Sequence, residues 1–250
     1  MTDLFGEWVT DEEIDRVFAV MALSPQHVFQ VLTKRPERMR EYLTEPAMPG
    51  RVEAWATDLS GMVIAPGWPR NWPLKNVWLG VSVEDQQRAE ERIPELLACP
   101  AAVRFISAEP LMGPVVLTGM DCWRGAAGLD GESWEQEPVR PGHMNGLDWA
   151  IIGGESGPGA RPMDVAWARS LVAQCQAAGV AVFVKQLGAN PVTACESHGV
   201  TCGGHKWPWN ENEAQARGRE PRPKLRSRKG GDPEEWPADL RVREFPGVRI

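Results

Sequence analysis

Residues 147–162, LDWAIIGGESGPGARP, decide the fold of this chain. They begin with an apolar run at 149–152, of the kind that is buried on both faces of a parallel sheet. The run breaks at two glycines and Glu155, and a helical pattern follows Asp164. This order predicts a strand, a glycine loop and a helix, and ligands of parallel α/β folds bind at the carboxyl ends of strands. The glycines either let a ligand approach the backbone or only permit a tight turn.

Four further segments of the chain repeat this pattern. Together with the first run they predict five strands, at residues 27–32, 76–83, 102–107, 149–152 and 180–184. Helical patterns lie between them, and Thr10 with Glu13 forms a capping box at the start of the first helix. Such alternation specifies a parallel sheet with right-handed crossovers. The sheet is either open and doubly wound or part of a (β/α) barrel.

Composition narrows the class of protein. Of 250 residues, 42% are hydrophobic and 24% are charged, which is ordinary for a globular chain. The net charge of -7 argues against binding nucleic acid by bulk charge. No apolar run approaches the roughly 20 residues of a membrane span. Five cysteines without a regular framework fit a reducing compartment, so we expect a cytoplasmic protein with no membrane contact.

Polar residues follow every predicted strand. The carboxyl ends of parallel strands meet at one edge, so these residues predict one binding site for a polar small molecule. Its lysines would bind a carboxylate or phosphate, and its glutamates an amine or a ribose. Alternatively, each polar residue only pairs with a neighbour in its own loop. The predicted cofactor-binding residues are Thr33, Lys34, Ser82, Glu84, Ser107, Glu109, Gly153, Gly154, Glu155, Ser156, Lys185 and Gln186.

Several blocks of sequence resemble one known family in the same order. They are QVLTKRPERM at 30–39, NVWLGVSVE at 76–84, RFISAEPL at 104–111, residues 149–163, Lys185 with Gln186, and RKGGDPEEWP at 228–237. The chain resembles the phage gene-product thirty-seven/sixty-eight family, a domain of unknown function. That family is similar to the radical S-adenosylmethionine enzymes, which implies a TIM-like parallel (β/α) barrel, S-adenosylmethionine as cofactor and a [4Fe–4S] cluster.

The chain departs from that resemblance in one respect, because it contains no CxxxCxxC motif for the cluster. The resemblance implies that the five strands are the later units of an incomplete, N-terminally truncated barrel. We expect residues 1–190 to form this partial barrel, with loop insertions near 46–75 and 112–146. Residues 191–250 would form an irregular extension packed on it. A partner chain would complete the barrel, since open strand edges invite pairing; without it the chain is an inactive fragment.

Two motifs outside the strands suggest other chemistry. Cys195, His198, Cys202 and His205 resemble a compact zinc knuckle in their spacing; the alternatives are chance in a polar loop and a lone Cys–Cys pair. Residues 217–229, from Arg217 to Lys229, carry seven basic side chains and one acidic one. This strip either contacts nucleic acid, as in a nucleic-acid-binding or modifying protein, or is a solvated segment.

Overall fold

A five-stranded parallel sheet lies at the centre of the computed structural model, which describes residues 3–62, 72–117, 146–193 and 225–247. Seven strands are present in this part: β1 (Phe29–Thr33), β2 (Val77–Ser82), β3 (Val103–Ala108), β4 (Trp149–Gly153), β5 (Met163–Asp164), β6 (Ala181–Gln186) and β7 (Pro191–Val192). The helices are α1 (Asp11–Leu23), α2 (Pro36–Thr44), α3 (Met48–Ser60), α4 (Gln86–Leu97) and α5 (Val165–Ala178). The chain thus has the predicted mixed α/β fold with a parallel sheet.

The strand order of the sheet follows the chain. It is β1-β2-β3-β4-β6, and every neighbouring pair is parallel, while β5 and β7 form a separate short pair. Doubly wound sheets reverse their strand order at a switch point, and this sheet does not. Sequential order is what consecutive units of a barrel require, but β1 and β6 do not pair with each other in the described part of the chain. The barrel stays a prediction.

The two faces of the sheet are covered differently. One face packs against the helices and holds most of the core, with Leu79, Ile106 and Ile152 from the strands against Phe18 and Ile93 from the helices. The opposite face, which we call the second face, carries a smaller cluster of Trp78, Val103, Phe105 and Trp149. Side chains alternate between faces along a strand, so every second residue of each strand belongs to this second face.

Local sequence signals explain most helix boundaries. The Thr10 hydroxyl accepts a hydrogen bond from the Glu13 N–H at 3.3 Å, and the Glu13 carboxylate accepts one from the Thr10 N–H at 2.8 Å, which completes the predicted capping box. Asp85 and Asp164 cap α4 and α5 with one bond each, accepted from the Arg88 N–H and the Ala166 N–H. Helix α5 ends at Gly179, whose φ of 73° is left-handed.

Helix α3 is a difference from the sequence prediction, since it lies within the segment 46–75 that reads as a loop. Its buried side chains, Met48, Val52 and Ala56, form a single narrow stripe at intervals of four residues. So few apolar positions give no clear periodicity, and Gly50 inside the helix weakens the signal further. The predicted insertion at 112–146 lies mostly outside the described residues.

The described part of the C-terminal extension packs on the sheet and closes one of its edges. The Val184 N–H donates to the Val242 carbonyl at 2.9 Å, and the Glu244 N–H donates to the Val182 carbonyl at 2.7 Å. These bonds add a short antiparallel segment beside β6. At the opposite edge, β1 has no second strand partner among the residues described. None of the described helices is long and apolar enough to span a membrane.

Candidate carboxyl-edge binding site

The second face changes from apolar to polar along the strands. Toward the amino ends of the strands this face is aromatic, and Trp149 contacts both Trp78 and Phe105 with ring centroids 5.9 and 5.8 Å apart. Near the carboxyl ends of β2 and β3 the neighbouring residues are Ser82 and Ser107, which are paired in register. Two residues further on come Glu84 and Glu109. We call the polar region from these serines outward the carboxyl edge.

Glu84 binds two cations at the carboxyl edge. Its Oε1 accepts from the Lys34 ammonium, and its Oε2 accepts from Arg92 Nη1 at 2.9 Å. Arg92 reaches this position from α4 and also donates to the Ser82 carbonyl at 2.8 Å. Burial raises the pKa of the Glu84 carboxyl, but the hydrogen bond from Lys34 and the charge of Arg92 outweigh burial and hold the pKa below its ordinary value. Glu84 is therefore an ionised, firmly held carboxylate.

Glu109 is held in a similar way from the other side. Its Oε2 accepts from the Lys185 ammonium at 2.8 Å, and its Oε1 accepts from Gln186 Nε2 at 2.8 Å. The Gln186 amide also donates to the Gly154 carbonyl at 3.0 Å, which ties β6 to the loop after β4. Glu109, which follows β3, thus binds two residues of β6, and Gln186 extends this contact to the loop after β4.

Glu155 lies in the loop after β4 and binds within that loop. Its carboxylate accepts three hydrogen bonds from Arg161, from the backbone N–H at 2.9 Å, from Nε at 2.8 Å and from Nη2 at 3.0 Å. These bonds, the side-chain ones first, lower the pKa of Glu155 to about 2. Arg161 in turn lies close enough to Glu84 for that charge to raise the Arg161 pKa. Ser156 is exposed in the same loop.

The two glycines after β4 are needed by the protein's own packing. A Cβ at Gly154 would overlap the carbonyl oxygen of Leu187, and a Cβ at Gly153 would come within 3.1 Å of the Glu109 carboxyl carbon. The backbone that comes close to Gly154 is therefore that of the loop after β6. This packing accounts for both glycines without a ligand.

Thr33 and Lys34 point to opposite sides of β1. The Thr33 hydroxyl is buried and donates to Asp3 Oδ1 at 2.7 Å, away from the second face. Asp3 also accepts from the Lys34 N–H at 2.9 Å and pairs with Arg35 at 3.3 Å. Burial raises the pKa of Asp3, but these hydrogen bonds hold it below its ordinary value. Asp3 thereby fixes the backbone from which Lys34 reaches Glu84.

Of the predicted site residues, the structure brings together one group and leaves others apart. The carboxyl edge contains Lys34, Ser82, Glu84, Ser107, Glu109, Lys185 and Gln186, and Glu155 belongs to it through its partner Arg161. The residues that sequence reasoning missed there are Asp3, Arg92 and Arg161. Arg161 lies inside the quoted stretch at 147–162, and its position six residues after Glu155 was the available signal.

The described residues do not fit an iron–sulfur cluster. They contain no group of three His, Cys, Asp or Glu side chains that could hold a metal ion. Cys99 and Cys175 are buried, and burial raises the pKa of each thiol to about 12, so both are neutral. The zinc candidates Cys195, His198, Cys202 and His205 lie outside the described residues.

Only residues 225–229 of the basic strip are described. There the Arg226 N–H and Nε donate to Glu235 Oε1 at 2.9 and 2.8 Å. Arg228 and Lys229 are exposed and have no side-chain partner in the described chain.

Comparison with known proteins assigns the chain to a family. A family model described as a protein of unknown function matches residues 1–223. This description names neither a phage origin nor a radical S-adenosylmethionine enzyme, so both stay predictions. No curated protein and no solved structure has significant similarity to the chain. Because the match covers most of the sequence, the chain belongs to the family of proteins of unknown function DUF5131.

Proposed function

We propose that the carboxyl edge binds a small polar ligand of the S-adenosylmethionine class. The observation that carries the proposal is the convergence at one edge of charged side chains from separate strands, with Lys34 and Glu84 on one side and Lys185 and Glu109 on the other. Surface charges without a ligand would be spread over the helices instead. In parallel α/β folds this edge is where ligands bind.

The neighbouring second face suits the apolar part of such a ligand. S-adenosylmethionine combines an adenine ring with a polar amino-acid end. The aromatic cluster of Trp78, Phe105 and Trp149 lies directly below the polar groups of the edge. These rings are only 6%, 1% and 3% exposed, so an aromatic ring of the ligand would contact the margin of the cluster next to the edge, while its charged end is held at the edge.

We also propose that this family is related to phage proteins and to the radical S-adenosylmethionine enzymes. We propose that the family shares their barrel and their cofactor. The [4Fe–4S] cluster is left out because the described cysteines are neutral, buried and far apart in sequence. The proposed role is therefore ligand binding.

Isothermal titration calorimetry with S-adenosylmethionine tests the proposal. We expect the wild-type chain to bind and Lys185→Gln to weaken binding at least about tenfold, since a charge-assisted hydrogen bond contributes roughly 1.5–3 kcal/mol. Lys75→Gln is the matched control, because this exposed lysine precedes β2 at the opposite end of the sheet. Absence of binding, or equal weakening by both variants, would reject the proposal.

A partner chain at the free edge of β1 belongs to the same proposal. Val28 and Leu32 are exposed large hydrophobic residues there, and β1 contains no charged residue that would discourage pairing. We expect Leu32→Lys to lower the mass measured by light scattering while the circular dichroism spectrum is retained. An unchanged mass would count against association through β1.

Nucleic-acid binding is a second candidate, favoured by the exposed and unpaired Arg228 and Lys229. It predicts binding to DNA or RNA that weakens with salt and is lost in the double variant Arg228→Gln/Lys229→Gln. An affinity for DNA or RNA that does not change with salt concentration would reject this second candidate.

A further inference from the structure

The carboxylates of the carboxyl edge already bind donors of the protein. Both oxygens of Glu84 accept from protein cations, and both oxygens of Glu109 accept from Lys185 and Gln186. Both oxygens of Glu155 accept from Arg161. Each carboxylate thus keeps one or two of its about four acceptor sites, and its charge is already paired with a protein cation.

The donors of the carboxyl edge are, by contrast, largely free. A lysine ammonium has three N–H groups, and Lys34 and Lys185 each use one of them among the described residues. Both side chains are half-exposed, as is that of Arg161. The Nη1 of Arg161 has no partner in the part of the chain that the structure describes.

Two serine hydroxyls add to these free donors. Ser82 and Ser107 are register neighbours on the second face, with 4% and 5% of their surface exposed. Neither hydroxyl makes a hydrogen bond within the described ranges of the chain, and neither oxygen is among the buried atoms that lack a partner, so both keep a small surface open at the edge. Two adjacent hydroxyls that face this opening can donate to a polar group that binds beside them.

The net charge of the carboxyl edge is positive, which favours the same kind of ligand as its free donors do. Five cations, Lys34, Arg35, Arg92, Arg161 and Lys185, stand against four carboxylates, Asp3, Glu84, Glu109 and Glu155. A group that supplies several acceptors and a negative charge satisfies the hydroxyls and the free N–H groups together. A ligand amine would instead add a positive charge to an edge whose cations already outnumber its carboxylates.

We infer that the ligand of the carboxyl edge is recognised through an oxyanion group, bound by the Ser82 and Ser107 hydroxyls and by Lys34, Lys185 and Arg161. The inference rests on the proposed function and makes it more specific, because it assigns the anionic end of the ligand to the edge. The glutamates become positioning residues: Glu84 and Glu109 hold the lysines, and Glu155 holds Arg161. A carboxylate and a phosphoryl group both supply this chemistry.

Calorimetry at constant ionic strength tests the inference with inorganic phosphate and, separately, with acetate as probes. Binding of phosphate would indicate a phosphoryl group as the oxyanion of the ligand, and binding of acetate would indicate a carboxylate. We expect Arg161→Gln and the double variant Ser82→Ala/Ser107→Ala each to weaken binding of that probe at least about tenfold. The controls are Arg16→Gln, a half-exposed arginine that also pairs with one carboxylate, and Ser60→Ala at the end of α3. Equal effects of variants and controls would overturn the inference.

Competition with S-adenosylmethionine separates this inference from the proposed function. If S-adenosylmethionine binds but neither probe displaces it, and the serine variant binds it normally, the inference fails and the proposed function stands. If a probe binds with the expected variant effects while S-adenosylmethionine does not bind, the proposed function fails and the oxyanion site stands. Thermal unfolding of each variant without ligand checks that its fold is retained.

Discussion

Removal of the Glu84 charge should destabilise the fold by a measurable amount. The Glu84 side chain is 11% exposed, and Glu84→Gln keeps its shape while it removes the charge that faces Lys34 and Arg92. Lys34 is half-exposed and can turn to water. Arg92 is only 14% exposed and is left with the Ser82 carbonyl as its remaining partner. The cost therefore comes mainly from Arg92.

The magnitude follows from this difference between the two cations. Breaking a buried ion pair by removing one partner costs about 3–5 kcal/mol, and losing one hydrogen bond to a charged group costs about 1.5–3 kcal/mol. Because glutamine retains an acceptor and Lys34 is solvated, the range for one lost hydrogen bond to a charged group applies. We expect a loss of about 2 kcal/mol in the free energy of unfolding. For a chain of this size that lowers Tm by about 4–8 °C.

Urea unfolding followed by circular dichroism measures this loss, and its pH dependence gives a second test. The pKa of Glu84 in the folded chain lies below its ordinary value of 4.5. The stability that Glu84 contributes is thus fully present above pH 4.5 and is lost as the pH falls through the lower, folded pKa. The difference between wild type and Glu84→Gln should shrink over that interval.

Two results would refute this reasoning about Glu84. One is a variant as stable as wild type at pH 7, and the other is a stability difference that does not change as the pH falls. Glu12→Gln is the control, since Glu12 forms an exposed pair with Arg16 on α1 at 2.7 Å. We expect that control to leave the free energy of unfolding nearly unchanged.

Further predictions concern local structure. Thr10→Ala removes the cap of α1 and should cost about 1 kcal/mol in urea unfolding, and no change would contradict the capping role. Gly154→Ala pushes a Cβ into the Leu187 carbonyl and should cost roughly 1–3 kcal/mol. Gly50→Ala is its control: no atom lies near its Cβ position in α3, so the variant should gain about 0.5–1 kcal/mol. If both glycine variants behave alike in thermal unfolding, the close approach at Gly154 is not what requires glycine.

Most of the sheet could be predicted from local sequence. Each strand is a short apolar run with polar flanks, and the observed bounds differ from the predicted ones by one or two residues. The segment that pairs with β6 lies in the extension that was predicted to be irregular. Its partner is about 60 residues away in the chain, and pairing over such a distance has no local pattern. Helix α3 was missed because its apolar stripe is so narrow.

The candidate site was predictable as a location but not as a set of contacts. Parallel strands bring their ends to one edge, and this placed Lys34, Glu84 and Glu109 together. Alternation of side chains along β1 already distinguishes Thr33 from Lys34, although the prediction included both. The prediction placed Glu155 in one site with Glu84 and Glu109, and in the structure its carboxylate binds Arg161. The reason is a local turn that includes Gly157 and Gly159 at positive φ, which brings Arg161 back to Glu155.

Hydrogen–deuterium exchange with and without S-adenosylmethionine tests most directly the claim that the carboxyl edge is the ligand site. We predict slower exchange on addition of the ligand in peptides that cover 82–85, 107–112, 153–161 and 184–189. Peptides from α3 and from the start of β2, at the opposite end of the sheet, should be unchanged. Protection that is absent from the carboxyl-edge peptides, or confined to peptides elsewhere, would contradict the account.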